Sequence, residues 1–285
     1  MDEIPREIPD ALVIIAGRGI YPLTLAESAR RQGVRRIMAA AFRKETEPAI
    51  EKLADETQWF SFGQLGAVLE AVKASGIRHA VMAGQITPAS LFRLRPDALA
   101  LKILSNLRWR NARTIFGAVC EEFAAIGVRL LPAWRFMENA LPKAGLLGHR
   151  APDGREQNDI ELGLRVAKTV SGLEIGQTVI VKEGTILAVE AFEGTDEAIL
   201  RAGKLGGPGA VVVKTARSGH DMRYDIPVIG LKTMKVLRKI GASALAIEAG
   251  RTIMLEPEKI VAEADRMNMA LVAVAGEAPP ENPKL

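Results

Sequence analysis

Two stretches in the second half of the chain hold carboxylates and bases in an order that suits phosphoryl chemistry. Residues 190–196 read Glu-Ala-Phe-Glu-Gly-Thr-Asp, and residues 214–227 read Lys-Thr-Ala-Arg-Ser-Gly-His-Asp-Met-Arg-Tyr-Asp-Ile-Pro. Pro227 disfavours helix for what precedes it, so residues 221–225 are expected in extended or loop structure. If extended, Asp221, Arg223 and Asp225 project to one side at intervals of about 7 Å. Two carboxylates would then stand with Lys214, Arg217 and Arg223 after a buried strand. Acids that hold a divalent cation, beside bases that neutralise phosphate oxygens, are the equipment of phosphoryl transfer. A surface salt-bridge cluster has the same composition. The acids Asp196 and Glu197 also suit the first turn of a helix, where they offset its dipole.

A third place for chemistry is Gly17-Arg18-Gly19, between a strand and a helix that has Pro22 at its start. Glycines there let backbone amides approach a phosphate at the positive end of the helix, and a plain tight turn uses them equally well. A dinucleotide fingerprint wants a third glycine where Pro22 stands, and an acid after the second strand where the chain has Phe42-Arg43-Lys44. Both departures weigh against a nicotinamide dehydrogenase, which stays the least favoured of the enzyme readings. Gly84-Gln85 ends a further strand, the position at which open α/β sheets bind ligands. Residues 91–113 carry Arg93, Arg95, Lys102, Arg108, Arg110 and Arg113 against one acid, Asp97, with Leu94, Leu99, Ile103, Leu107 and Trp109 interleaved. Such a helix either presents a solvated face or lies on anionic lipid and covers acyl chains.

The elements that must position these residues are of one kind. Short apolar runs at 12–16, 36–42, 58–62 and 79–86 alternate with helical patterns at 22–31 and 65–74, which implies a Rossmann-like parallel sheet. Residues 97–125 read as helix. In the second half, a helix at 156–170 precedes a β-hairpin, 178–181 with 185–191, turning at Lys182-Glu183-Gly184. Strands at 210–214, 243–247 and 270–274 then alternate with helices after Thr195, at 231–240 and at 256–267. Residues 142–155 collect Pro, Gly, His and charged residues, as a linker does. The expected fold class is α/β with two domains: a Rossmann-like N-terminal domain over 1–141, the linker 142–155, and a mixed α/β catalytic domain over 156–285, with a cleft between them.

Composition removes other classes. The 285 residues are 48% hydrophobic and 25% charged, too apolar for disorder. A net charge of +4 and 5% aromatic residues call for no nucleic-acid partner. The single cysteine, Cys120, excludes an internal disulfide and argues for a reducing compartment. With only three histidines beside it, no Cys/His zinc cage can form, so a metal would be a hard cation on carboxylates, Mg²⁺ or Mn²⁺. The first ten residues are acidic and interrupted by Pro, unlike a signal peptide, and no charge-free run reaches membrane-spanning length. A cytoplasmic protein, at most peripheral to a membrane, is expected.

Six motifs carry a resemblance that covers residues 12–275. They are Ile-Ala-Gly-x-Gly-x-x-Pro (15–22), Asp159-Ile160-x-x-Gly163, Ile175-Gly176-Gln177, Leu-Ala-Val-Glu-Ala-x-Glu-Gly-Thr-Asp (187–196), Asp-x-Arg-x-Asp-x-Pro-x-Ile-Gly (221–230) and Ala-Ile-Glu-Ala-Gly (246–250). Together they resemble the UDP-2,3-diacylglucosamine pyrophosphatase LpxI family. The resemblance implies a Mg²⁺- or Mn²⁺-dependent hydrolase of lipid A biosynthesis that directs water to the α-phosphorus of UDP-2,3-diacylglucosamine, giving UMP and 2,3-diacylglucosamine 1-phosphate. It places the catalytic aspartate at Asp225. A cation would be held by Asp225 with Asp221, Glu190 or Glu193. Substrate would meet Gly17, Gly19, Gln85, Thr195, Lys214, Arg217 and Arg223. A homodimer and peripheral contact with the inner membrane are further expectations. The chain departs from the family's pattern at Asn111-Ala112-Arg113, where an Asp pair is common, and at residues 217–220. The alternative is therefore a nucleotide-sugar or lipid-binding protein of the same fold without this activity.

Overall fold

A computed structural model describes residues 7–85, 96–109, 111–217 and 221–276. Ile86, Arg93, Leu94, Arg95, Arg110 and residues 218–220 of the candidate segments lie outside them. The chain forms two compact units. The first comprises the described residues up to Glu138 together with Asp221–Asp225, and the second comprises the rest.

The first unit is built on β1 (Ala11–Ala16), β2 (Arg36–Phe42), β3 (Glu56–Phe60), β4 (His79–Ala83) and β5 (Arg129–Leu130), in the order β3-β2-β1-β4-β5. Every pairing is parallel. That order makes β1/β4 the point where the winding reverses, and ligands of open α/β sheets bind outside the carboxyl ends there. Helices α1 (Tyr21–Arg31), α2 (Leu65–Ser75), α3 (Ala98–Asn106) and α4 (Ala112–Ala125) belong to the same unit. Val68, Leu69 and Val72 of α2 join Cys120 and Phe123 of α4 over Val13, Met38 and Ala80 of the sheet. The expected helical stretch 97–125 is two helices. The Asp97 carboxylate accepts from Ala100 N, and the Asn111 side chain accepts from Thr114 N, so each starts on its own cap. Asn111, one of the departures from the family pattern, thus has a structural use that asparagine fills as well as aspartate.

The second unit is a six-stranded mixed sheet in the order β6-β13-β11-β9-β7-β8. Its strands are β6 (Gly145–Leu146), β7 (Thr178–Lys182), β8 (Thr185–Val189), β9 (Val211–Lys214), β11 (Ala244–Glu248) and β13 (Ala270–Val274). A separate two-stranded parallel pair joins β10 (Val228–Ile229) to β12 (Ile253–Met254). Helix α5 (Gly154–Gly172) covers one face through Ile160 and Ala167. Helices α6 (Thr195–Gly206), α7 (Leu231–Ile240) and α8 (Pro257–Arg266) cover the other. Strands buried on both faces explain why β9 reads as an unbroken apolar run up to Lys214.

Residues 142–155, expected as a linker, are built into this unit. Gly145 and Leu146 pair antiparallel with Ala273 and Val272 of β13, and Asp153 caps α5 with a capping box through Glu156. Their Pro and Gly content reflects an edge strand and a helix start, which use the same residues as a linker.

The motif Asp159-Ile160-x-x-Gly163 has a purely architectural account. Asp159, buried, accepts from Glu183 N at 2.8 Å and Gly184 N at 2.7 Å, which fixes the hairpin turn between β7 and β8. A Cβ on Gly163 would stand 2.5 Å from Val213 Cγ2, so glycine is what lets α5 lie close on β9.

Candidate functional site

In the first unit, the two glycine candidates prove to be one structure. Gly17 N donates to Ala83 O at 2.7 Å, while Arg18 and Gln85 exchange both backbone hydrogen bonds, at 2.8 and 3.1 Å. A Cβ on Gly17 would sit 2.7 Å from Gln85 O, and one on Gly84 would sit 2.7 Å from Gly17 C. Glycine is required at both positions because the two loops touch backbone to backbone. Gly19 differs: its φ is +91° and a Cβ would meet nothing within 4 Å. Since the Gly17 and Arg18 amides are spent on the neighbouring loop, an anion at this turn would rely on the N-terminus of α1, whose N-cap Ile20 offers no side-chain acceptor.

Residues 221–225 are not extended. Asp221 O accepts from Tyr224 N at 3.3 Å and from Asp225 N at 3.0 Å, which closes a single helical turn. The constraint from Pro227 acts on Ile226 and does not reach five residues back. The turn is held by the Asp221 carboxylate, which accepts from Arg223 N at 3.0 Å and grips the Arg223 guanidinium through both oxygens, at 2.6–3.0 Å. Asp221 is therefore the turn's clasp, and Arg223 its partner. This carboxylate, first, holds the Arg223 guanidinium more firmly protonated than usual. Burial pushes the Tyr224 phenol up to about 12 and the Cys120 thiol up to about 11. Asp225 is half-buried, and among the described residues its carboxylate accepts no hydrogen bond and joins no ion pair.

The second unit gathers a different set at the end of β9. Lys214 is 4% exposed and Glu190 7% exposed. The Lys214 ammonium donates to Thr195 Oγ1 at 2.7 Å and reaches Thr178 Oγ1 at 3.4 Å. Thr195 Oγ1 donates in turn to Glu190 Oε1 at 2.9 Å. Glu190 also receives Gln177 N at 3.4 Å, and a Cβ on Gly176 would stand 1.9 Å from Glu190 O, so the motif Ile175-Gly176-Gln177 exists to let this loop close on Glu190. The result is a buried ammonium whose described partners are hydroxyls, at the N-terminus of a 12-residue helix.

The other expected site residues of this unit serve the scaffold. The Glu193 carboxylate receives Arg201 at 2.6 Å and Ala191 N at 3.1 Å; the Arg201 hydrogen bond, first, holds it below the usual carboxylate range. Arg217 pairs with Glu174 at 2.6 Å. The four carboxylates proposed as ligands are thus split, Asp221 and Asp225 in the first unit and Glu190 and Glu193 in the second. Among the described residues no three His, Cys, Asp or Glu side chains gather.

Reading the sequence missed the residues that fix the β9 loop. Glu248, fully buried in β11, accepts Lys168 Nζ at 2.7 Å and Ala216 N at 2.8 Å on the same oxygen. Lys168 also donates to Ala216 O at 2.9 Å. Both backbone groups of Ala216, between Lys214 and Arg217, are pinned by this pair. The available signal was an acid at the end of an otherwise apolar strand, which must be satisfied when buried.

The model of the LpxI N-terminal domain matches residues 11–140, and that of the LpxI C-terminal domain matches residues 143–272. The chain is 30% identical over 277 residues to the UDP-2,3-diacylglucosamine pyrophosphatase LpxI of Caulobacter vibrioides, covering 92% of this chain and 97% of that protein. Among solved structures, likeness is weak. CobK precorrin-6A reductase has a TM-score of 0.35 at 11% identity, covering 95% of this chain and 90% of that one. The biotin carboxylase domain of the Hydrogenobacter thermophilus 2-oxoglutarate carboxylase has a TM-score of 0.30 at 13% identity, covering 70% of this chain and 41% of that one.

Proposed function

The chain belongs to the LpxI family, and from that premise we propose that it hydrolyses UDP-2,3-diacylglucosamine as its Caulobacter relative's name describes. Water adds to the α-phosphorus, the bond from that phosphorus to the bridging oxygen breaks, and the products are UMP and 2,3-diacylglucosamine 1-phosphate. The observation that carries the reading is Asp225. Of the four expected carboxylates, Asp221 and Glu193 are clasped by arginines and Glu190 accepts from Thr195, whereas Asp225 is held in place by its backbone, with its oxygens uncommitted among the described residues. An uncommitted carboxylate is what a water or a cation requires. Taken by itself, the second unit holds the Lys214 ammonium buried among hydroxyls, a setting that suits an anion.

Mg²⁺ or Mn²⁺ is the proposed cofactor. Mg²⁺ characteristically takes one or two protein carboxylates plus substrate phosphates and its own waters, so one free aspartate fits it and a protein cage of three ligands is not needed. Asp225 is the residue to hold it. Bound, the cation would lower the pKa of water and offset charge on the phosphoryl oxygens. Asp225 orients the attacking water. The test is ³¹P NMR of the purified protein with UDP-2,3-diacylglucosamine, in Mg²⁺, in Mn²⁺ and in chelator. UMP and the sugar 1-phosphate are expected with metal alone. Intact substrate under every condition would sink the hydrolase reading.

The acyl chains of that substrate reside in membranes, and α3 with residues 107–109 that follow it offers exposed apolar and basic side chains for them. Leu101 is 54% and Trp109 66% exposed, beside the exposed cations Lys102 and Arg108, with the Arg108 guanidinium 5.6 Å from the Trp109 ring centre. No helix among the described residues is long and apolar enough to cross a membrane. Peripheral contact at an anionic bilayer is the proposal. The protein is expected to co-sediment with phosphatidylglycerol vesicles at low salt and not with phosphatidylcholine vesicles, and Trp109→Ala should weaken it; equal partitioning into both would count against this surface.

A further inference from the structure

The residue proposed to act on the substrate is encoded in the second half of the chain yet packs with the first unit. The contacts that bring it there are specific. Ala133 N donates to Met222 O at 2.7 Å. The Tyr224 ring stacks on Phe116 of α4, with centroids 5.6 Å apart and planes 26° apart. The Tyr224 hydroxyl reaches Arg113 O at 3.4 Å, passing over Gly117, where even a Cβ would already lie 4.0 Å from it. Phe116, Cys120 and Phe123 stand at i, i+4 and i+7 of α4, so they share one face, and Tyr224 packs against the buried cluster that holds Cys120 and Phe123. The Asp221–Arg223 clasp closes the turn from the other end.

We infer that residues 221–225 are a clamp docked on α4, in which the stack of Tyr224 on Phe116 positions the Asp225 carboxylate. This rests on the role of Asp225 given above. The physical argument is one of geometry. Asp225 is bound to the protein only through its backbone and its neighbours, since its side chain has no described partner. The adjacent aromatic ring, wedged on a rigid helix, is then what fixes the direction in which that carboxylate points. Tyr224 and Phe116 are positioning residues on this account, and the Tyr224 hydroxyl contributes little, because its hydrogen bond is long.

The sole cysteine supplies a readout that needs no substrate. Cys120 is 3% exposed and belongs to the buried cluster against which Tyr224 packs. If the clamp releases, a thiol reagent reaches it. In Tyr224→Ala the labelling rate of Cys120 by Ellman's reagent in native buffer is expected to rise about tenfold or more, as for local opening. In the same variant kcat should fall about 100-fold, the cost of a misplaced group, with KM changed by less than about threefold. Tyr224→Phe keeps the stack and should match the wild type in both. Phe116→Leu is the second variant, expected to follow Tyr224→Ala. Unchanged labelling in both ring-removal variants, a wild-type kcat in Tyr224→Ala, or an equal loss in Tyr224→Phe each overturns the clamp. Asp225→Asn, run in parallel, separates the two claims. If it keeps the wild-type rate, the role of Asp225 fails, and the labelling arm still decides whether the clamp exists.

Discussion

Asp225→Asn should lower kcat about 10³-fold, within the range attributed to one positioned acid–base group, while the melting temperature stays at the wild-type value. The two halves of that expectation have separate origins. Asparagine keeps the size and the backbone N–H, which is the only part of Asp225 that the turn uses, through its bond to Asp221 O. It removes the charge, which no described side chain needs. Loss of rate without loss of stability would therefore identify the carboxylate as functional. Stopped or initial-rate assays of UMP release, with a thermal melt of each variant, make the comparison. A wild-type rate would remove Asp225 from the chemistry. A falling melting temperature would show instead that the side chain holds the fold. The contrast variant is Asp221→Asn, which should loosen the clasp on Arg223 and disturb the turn itself.

Lys168→Met should destabilise the second unit by about 3 kcal/mol or more, because it leaves the carboxylate of a wholly buried glutamate short of its ammonium. Arg251 offers Glu248 a second, longer contact at 3.5 Å from a more exposed position, and cannot replace the bond to Lys168. Urea unfolding of wild type and variant, followed by far-ultraviolet circular dichroism, measures the difference. The double variant Lys168→Met, Glu248→Leu should recover part of the loss, since an apolar pair avoids stranding a charge. It would still lack the bond to Ala216 N, so the β9 loop between Lys214 and Arg217 should stay misplaced. A change in unfolding free energy of under about 0.5 kcal/mol for Lys168→Met would show that water already relieves this pair.

The stabilities of these two places differ for a physical reason. The Lys168–Glu248 pair is sealed between α5 and the end of β11, where charge is costly unless matched. Asp225 has access to solvent and tolerates an unmatched charge, which is what leaves it available. Carboxylates that look alike in the sequence are thus sorted by burial and by the nearest guanidinium.

Much of the architecture was legible in residue order. Periodicity placed β2, α7 and β13, where a strand or helix is bounded by Gly or charged residues and needs only its own pattern. The hairpin at Lys182-Glu183-Gly184 was also readable, because the left-handed φ of Glu183 and Gly184 demands a short turn sequence. The strands β5, β6, β10 and β12 were not, being two residues long and defined only by a distant partner. β3 was expected at 58–62 and lies at Glu56–Phe60, because its bounds come from the register with β2.

For the site, the sequence alone determined the chemical inventory: acids without a histidine base, lysine and arginine for phosphate, glycines at the turns. Which of those groups are free to act depended on tertiary structure. Asp221 and Arg223 occupy each other, Glu193 and Arg217 are claimed by Arg201 and Glu174, and residues 221–225 leave their sequence neighbours to pack on α4. Spacing along the chain sets which side chains are near one another in an ideal strand or helix. It does not set where a guanidinium eight or forty-three residues away will reach, and that contact decides whether a carboxylate or an arginine is spent on the scaffold or left for a ligand.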